Sequence, residues 1–124
     1  MKLQADRAEG VNVIHAHTVN TVSVSGHIYA HSVLVPPTGE PAPWPPATLD
    51  ELSAEHFEQI ARLQPELVLL GTGPRLRFAS PALMRSLIEM GVGVETMDTA
   101  AACRTFNFLV GEGRRVVCAL LVHD

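Results

Sequence analysis

The strongest constraint on the fold is a pair of uninterrupted apolar runs, Leu67-Val68-Leu69-Leu70 and Val116 to Val122, at the two ends of the stretch Glu66 to Val122. The first follows Pro65 and stops abruptly at Gly71-Thr72-Gly73. Apolar runs bounded in this way fit strands covered on both faces, as in the middle of an α/β sheet. The residues between them supply the covering helices. Ser80 is an N-cap, Pro81 takes the favoured first helical position, and Leu83, Met84, Leu87 and Ile88 make an inner stripe that Gly91 ends. Gly93 to Met97 is a short strand. Asp98 then caps a helix from Thr99 to about Val110, ended by Gly111 and Gly113. Ala100, Ala101, Ala102, Phe106, Phe108 and Leu109 make that helix apolar nearly all round, which predicts burial.

Upstream, residues 11–35 are β-rich. Val11, Val13, His15 and His17 alternate with Asn12, Ile14 and Ala16, and Val22 and Val24 alternate with Thr21, Ser23 and Ser25, with turns at Asn20 and Gly26. Tyr29 and Val33 to Val35 extend this into a meander or hairpin. Residues 36–47 hold most of the nine prolines. Without amide donors they form neither a central strand nor a helix, only an extended surface loop. Trp44 within it either folds against the body or stands exposed as a partner anchor. Ser53 caps a further helix, with Leu52 and Phe57 as a hydrophobic staple and Pro65 as its stop. The expected fold is therefore α/β, one domain over residues 1–124. It has a mixed β-sheet covered by helices, a β-rich N-terminal meander (11–35), the proline loop (36–47) and an α/β core (50–123). A chain of 124 residues suits a single core.

Composition narrows the function. The net charge is −4 and the basic residues form no run, which argues against nucleic-acid binding. Cys103 and Cys118 lie in apolar surroundings without zinc or redox spacing, as two reduced thiols would. Residues 1–7 lack the apolar segment of a secretory signal, and Asp6 and Glu9 are foreign to a transit peptide. No apolar run approaches the ~20 residues of a membrane span. These features predict a soluble, cytoplasmic protein.

Chemistry is sparsely marked. Gly71-Thr72-Gly73 follows a buried strand, where α/β folds place ligand loops. Leu76 replaces the third glycine of a dinucleotide fingerprint, and no phosphate-loop lysine follows. The glycines serve equally as a tight strand exit. Arg75 and Arg77 lie after that strand, and Arg104 lies in the second turn of the helix capped by Asp98. With the Thr72 and Thr99 hydroxyls they could form an anion site; alternatively Arg104 pairs with Asp98 or Glu95. Cys103, near a helix start, reads as a small buried hydrophobe rather than a nucleophile. His15, His17, His27 and His31 show no metal-ligand spacing. No catalytic residue, metal ligand or cofactor is assigned.

Taken together, Gly71-Thr72-Gly73, Met97-Asp98-Thr99, Ala101-Ala102-Cys103-Arg104-Thr105-Phe106-Asn107 and Glu112-Gly113-Arg114-Arg115-Val116 resemble a widespread bacterial family of small domains of unknown function. Its mitochondrial relatives include an assembly factor of respiratory complex I. The resemblance covers about Glu66 to Leu121 closely and the N-terminal half more loosely. It implies a mixed-sheet α/β fold, a bacterial member and a non-catalytic interaction role. Gly71, Thr72, Gly73, Asp98, Thr99, Arg104, Thr105, Asn107 and Arg114 are its signature positions. Many relatives carry tyrosine where this chain has Phe106. The resulting expectation is an interaction or assembly protein whose partner is a protein, such as a respiratory-complex or membrane-complex subunit. The candidate binding residues are Gly71, Thr72, Gly73, Arg75, Arg77, Asp98, Thr99, Arg104, Thr105 and Asn107. The expected surface is the Gly71–Phe78 loop with the start of the helix capped by Asp98, joined by Trp44 if that side chain is exposed. The alternative is an enzyme or binder of a small anionic metabolite, held by Arg75, Arg77 and Arg104 over the Gly71 loop. An exposed edge of the N-terminal β region offers a route to a homodimer.

Overall fold

The computed structural model describes residues 10–122. Eight strands and three α-helices follow in the order β1 (Ile14–His17), β2 (Val22–Val24), β3 (His27–Tyr29), β4 (Val33–Val35), β5 (Ala42–Pro43), α1 (Ala54–Ala61), β6 (Leu67–Gly71), α2 (Arg85–Glu89), β7 (Gly93–Met97), α3 (Thr99–Gly111) and β8 (Val116–Leu120). The large sheet has the order β5-β4-β8-β6-β7. Its β6 runs parallel to β7 and β8, while β4 is antiparallel to β8 and β5. The apolar runs centred on β6 and β8 are therefore adjacent central strands, as their composition predicts.

Crossover handedness explains where the helices sit. The β6–α2–β7 connection steps outward, whereas β7–α3–β8 steps back across β6. Right-handed connections in opposite directions put the two helices on opposite faces. The core divides accordingly. Val68, Leu70, Val117 and Ala119 face Phe57, Ile60 and Leu87 of α1 and α2. The alternate residues Leu69, Val116, Cys118 and Leu120 face Ala102, Cys103, Phe106 and Val110 of α3.

The small antiparallel sheet β1-β2-β3 adds Ile14, Val22 and Val24 to the α3 side. Ser25 and Gly26 join β2 to β3, both at positive φ (51° and 90°), as a two-residue hairpin turn requires. Val33 to Val35 departs from the expected meander: β4 crosses into the large sheet and pairs with β8. All three residues are buried, which a meander strand with one wet face does not achieve.

The proline segment also corrects an expectation. Ala42–Pro43 forms a short edge strand on β4, a position where a missing amide costs little. This rigid approach carries Trp44 inward, so an exposed Trp44 anchor is ruled out: the side chain is 2% exposed. Its indole N–H donates to the His56 carbonyl at 3.2 Å, and its ring meets Phe57 edge-on. At the start of α1, the Ser53 N–H donates to His56 Nδ1 at 3.0 Å, so a histidine fills the place usually held by Glu or Gln in such a cap.

Two helices are more exposed than their composition predicts. Ser80 accepts from the Ala82 N–H, but Pro81–Met84 is a 3₁₀ turn and only Arg85–Glu89 is α-helical. The shortened α2 buries Leu87 and leaves Ile88 58% exposed. On α3, Phe108 is 67% exposed, because the large sheet and β1 cover only part of its circumference. Among the described residues no helix is long and apolar enough to cross a membrane.

The buried Trp44 is the chain's one tryptophan, so intrinsic fluorescence reports its packing directly. Native emission should be blue-shifted relative to the urea-unfolded chain and resistant to acrylamide. Freely quenched native emission would contradict the packing of the proline segment.

Candidate functional site

Five of the signature positions, Gly71, Thr72, Gly73, Asp98 and Thr99, gather where β6 ends and α3 begins, at the C-terminal edge of the parallel strands. Arg104, Thr105 and Asn107 lie farther along α3, and Arg114 lies at the other end of β6, paired with Glu66. At Gly71 helix and sheet lie close together. A Cβ there would lie 2.7 Å from Leu120 Cδ2, 3.2 Å from Ala102 Cβ and 3.4 Å from Thr99 Cα. Leu120 is fully buried and has little room to yield. Gly73, at φ 95°, turns the chain so that its carbonyl accepts from the Thr99 N–H and its own N–H donates to Thr99 Oγ1, both at 2.8 Å. Asp98 caps α3 by accepting from the Ala101 N–H at 2.8 Å. The first-turn donors Thr99, Ala101 and Ala102 are thus engaged by the chain itself.

Thr72 organises the adjoining loop. Its N–H donates to the Met97 carbonyl. Its hydroxyl donates to the Arg75 carbonyl at 2.7 Å and accepts from the Arg77 N–H at 3.2 Å. From Arg75 to Phe78, one residue past the second anchor, all four side chains stand exposed. Leu76 is 50% and Phe78 72% exposed. Both apolar side chains fall within the Gly71–Phe78 loop expected as a binding surface, but neither is singled out by the sequence; the alternation of arginine with apolar residues inside a loop is the signal that could have done so.

The three arginines have different surroundings. Arg77 pairs with Asp50 at 3.2 Å. Among the described residues the other ion pair is Arg114 with Glu66. The expected pairing of Arg104 with Asp98 or Glu95 is absent: Asp98 is turned to its own helix, and Arg104 stands exposed one turn before Phe108. A cavity of about 240 Å³ opens beside the Gly73–Thr99 contact, walled by Val19 of the β1–β2 turn, Pro74, Asp98, Ala100 and Leu121. A smaller one of about 170 Å³ shares Pro74 and Leu121 and takes in Arg77 and Asp50. Neither wall includes Arg75 or Arg104.

Asn107 acts farther along α3. Its Oδ1 accepts from the Ile14 N–H and its Nδ2 donates to the Ile14 carbonyl, both at 2.8 Å, so the amide stands in for a neighbouring strand on β1. Thr105 is half-buried. Phe106 is fully enclosed in the α3-side core. Burial pushes the Cys103 thiol up to about 11 against the opposing pull of Arg104, and raises Cys118 as well. A thiol so protonated at neutral pH is a poor nucleophile.

The family described as protein of unknown function (DUF498/DUF598) matches residues 14–121. The bovine protein named NADH dehydrogenase [ubiquinone] 1 alpha subcomplex assembly factor 3 is 38% identical over 80 residues, 63% of this chain and 44% of that protein. The chain thus spans less than half of that relative's length. The fold recurs in a crystal structure from Bordetella parapertussis, at TM-score 0.86 and 41% identity over 93% of this chain and 98% of that one. It also recurs in a solution structure from Bordetella pertussis described as a Mth938-like domain. There the TM-score is 0.85 and the identity 36%, over 100% of this chain and 94% of that one.

Two substitutions test the scaffold. Gly71→Ala overpacks the contact between α3 and β6 and should cost ~1–3 kcal/mol in urea unfolding. Asn107→Leu strands the N–H and carbonyl of Ile14 and should cost about 1–3 kcal/mol for each group kept from water. Wild-type stability in either variant would contradict the corresponding contact. In the native protein at pH 8, Cys103 and Cys118 should react slowly with a disulfide reagent and rapidly once unfolded; fast native labelling would contradict their burial.

Proposed function

The chain belongs to the DUF498/DUF598 family of proteins of unknown function, and we propose that it is a non-catalytic assembly-type protein that holds a partner polypeptide at the Arg75–Phe78 loop. The observation that carries this reading is the exposure of Leu76 and Phe78 on a short loop pinned by Thr72. Large apolar side chains in a pinned loop can enter a partner's pockets, and exposed arginines suit a charged rim. Arg75 and Arg77 alternate with the apolar pair along the loop. Gly71, Gly73, Asp98, Thr99 and Asn107 act as the scaffold that presents this surface.

The relative named as a complex I assembly factor supports an assembly role and suggests subunits of a respiratory or other membrane complex as the partner. Deleting the protein in its host should lower the amount of assembled NADH:quinone oxidoreductase on native gels. Wild type should restore it. A Leu76→Asp/Phe78→Asp variant with unchanged melting temperature should not, and should lose the crosslinks to the precursor subunit that wild type makes. Full rescue by that variant, or an unaltered complex after deletion, would sink the proposal. A metabolite anion that raises the melting temperature of wild type but not of Arg75→Ala/Arg104→Ala would replace it with the metabolite-binding alternative.

A further inference from the structure

A second concave surface lies at the opposite end of the parallel strands, away from the Gly71 loop. It is a groove of about 450 Å³ where the C-terminus of α3 meets the start of β8 and the Pro36–Thr38 segment. Its walls are mostly apolar and include Val11, Pro37, Leu63, Pro65, Val110 and Val117. Pro65, Val110 and Val117 are buried and make a firm floor, while Leu63 stands partly exposed at the rim. Size and composition match sites that enclose small organic ligands.

The charged residues lining the groove are two arginines, Arg114 and Arg115, and they are not equivalent. Arg114 Nε donates to Glu66 Oε2 at 2.6 Å, and the other carboxylate oxygen of Glu66 accepts the Arg115 N–H at 2.9 Å. These bonds hold the Glu66 carboxyl below its ordinary range, the Arg115 amide contributing most. Arg114 is therefore charge-matched. Arg115 Nε donates to a neutral acceptor, the Gln64 carbonyl, at 3.3 Å. No carboxylate among the described residues pairs with Arg115. Arg115 is exposed at the lip of the apolar trough, within the field of the Glu66 carboxylate but without a direct ion pair to it.

We propose that this groove binds a small amphipathic monocarboxylate, its hydrocarbon chain against Pro65, Val110 and Val117 and its carboxylate on the Arg115 guanidinium. Two guanidiniums facing the single Glu66 carboxylate leave one net positive charge at the groove, which matches one negative charge, and the guanidinium fork suits a carboxylate. A dianionic phosphate would leave a charge unmatched. An uncharged chain would leave the cation desolvated beside it. The site is separate from the Arg75–Phe78 loop, so its failure would leave the assembly reading untouched.

Decanoate, titrated below its micelle concentration into the isotope-labelled full chain, provides the test. Amide shifts should centre on Val11, Leu63, Val110, Gly111 and Gly113. Decanol should bind more weakly. Arg115→Gln should weaken decanoate binding about tenfold, the scale of one charge-assisted hydrogen bond. Leu63→Glu, at the exposed rim, should weaken it too by repelling the carboxylate. Both variants alter exposed side chains, and thermal melts will verify their folding. Absent shifts, shifts centred elsewhere, equal affinity for decanol, or full affinity in Arg115→Gln would each overturn the proposal. Tighter binding by an apolar tripeptide with a free C-terminus would overturn the choice of a small-molecule ligand.

Discussion

The contact of α3 with the end of β6 governs this structure. Gly71 lets the helix lie close to the sheet, and Gly73 and Thr99 exchange two hydrogen bonds that fix where the helix starts. From that fixed start the periodicity of the helix assigns each later side chain to a face. Ala102, Cys103, Phe106 and Val110 face the large sheet, and Asn107 meets β1. One helix end therefore sets the relation between two sheets that share no strand. The contacts are local to a few residues, but their geometric effect extends along thirteen residues of helix.

The parts of this arrangement legible from sequence are those written in local chemistry. Pro65 and Gly71 delimit β6, Asp98 announces α3, and Gly111 and Gly113 end it, because each residue type carries its own backbone or capping preference. What could not be read depends on contacts distant in sequence. Three valine and leucine positions at Val33 to Val35 fit either a meander or a central strand, and only their pairing with β8 decides. Trp44 is buried because the α1 surface receives it, a fact absent from the proline-rich segment itself. Phe108 and Ile88 stay exposed because apolar composition exceeds the face that each helix has to cover.

The candidate site shows the same division. Gly71, Thr72, Gly73, Asp98 and Thr99 do form one cluster, as their positions after adjacent strands suggest. Their hydrogen-bonding groups, however, are largely turned on one another rather than outward. Arg104 keeps its charge exposed, while the Asp98 carboxylate accepts from the Ala101 N–H at the start of its own helix. The outward-facing chemistry passes to Leu76 and Phe78, whose significance depends on the Thr72 hydroxyl bridging the loop. A loop held in this way has less conformational freedom to surrender when something docks on it.

Asn107 also limits growth of the small sheet. The side of β1 away from β2 would otherwise present the Ile14 N–H and carbonyl to any passing strand, the usual starting point for intermolecular sheet extension and aggregation. A side-chain amide occupies that place and brings no extended backbone on which a further strand could pair. The same contact that orients α3 thus seals that point on the β1 edge and leaves β3 as the open margin of the three-stranded sheet. An asparagine that looks like a structural brace also acts as a stop on polymerisation.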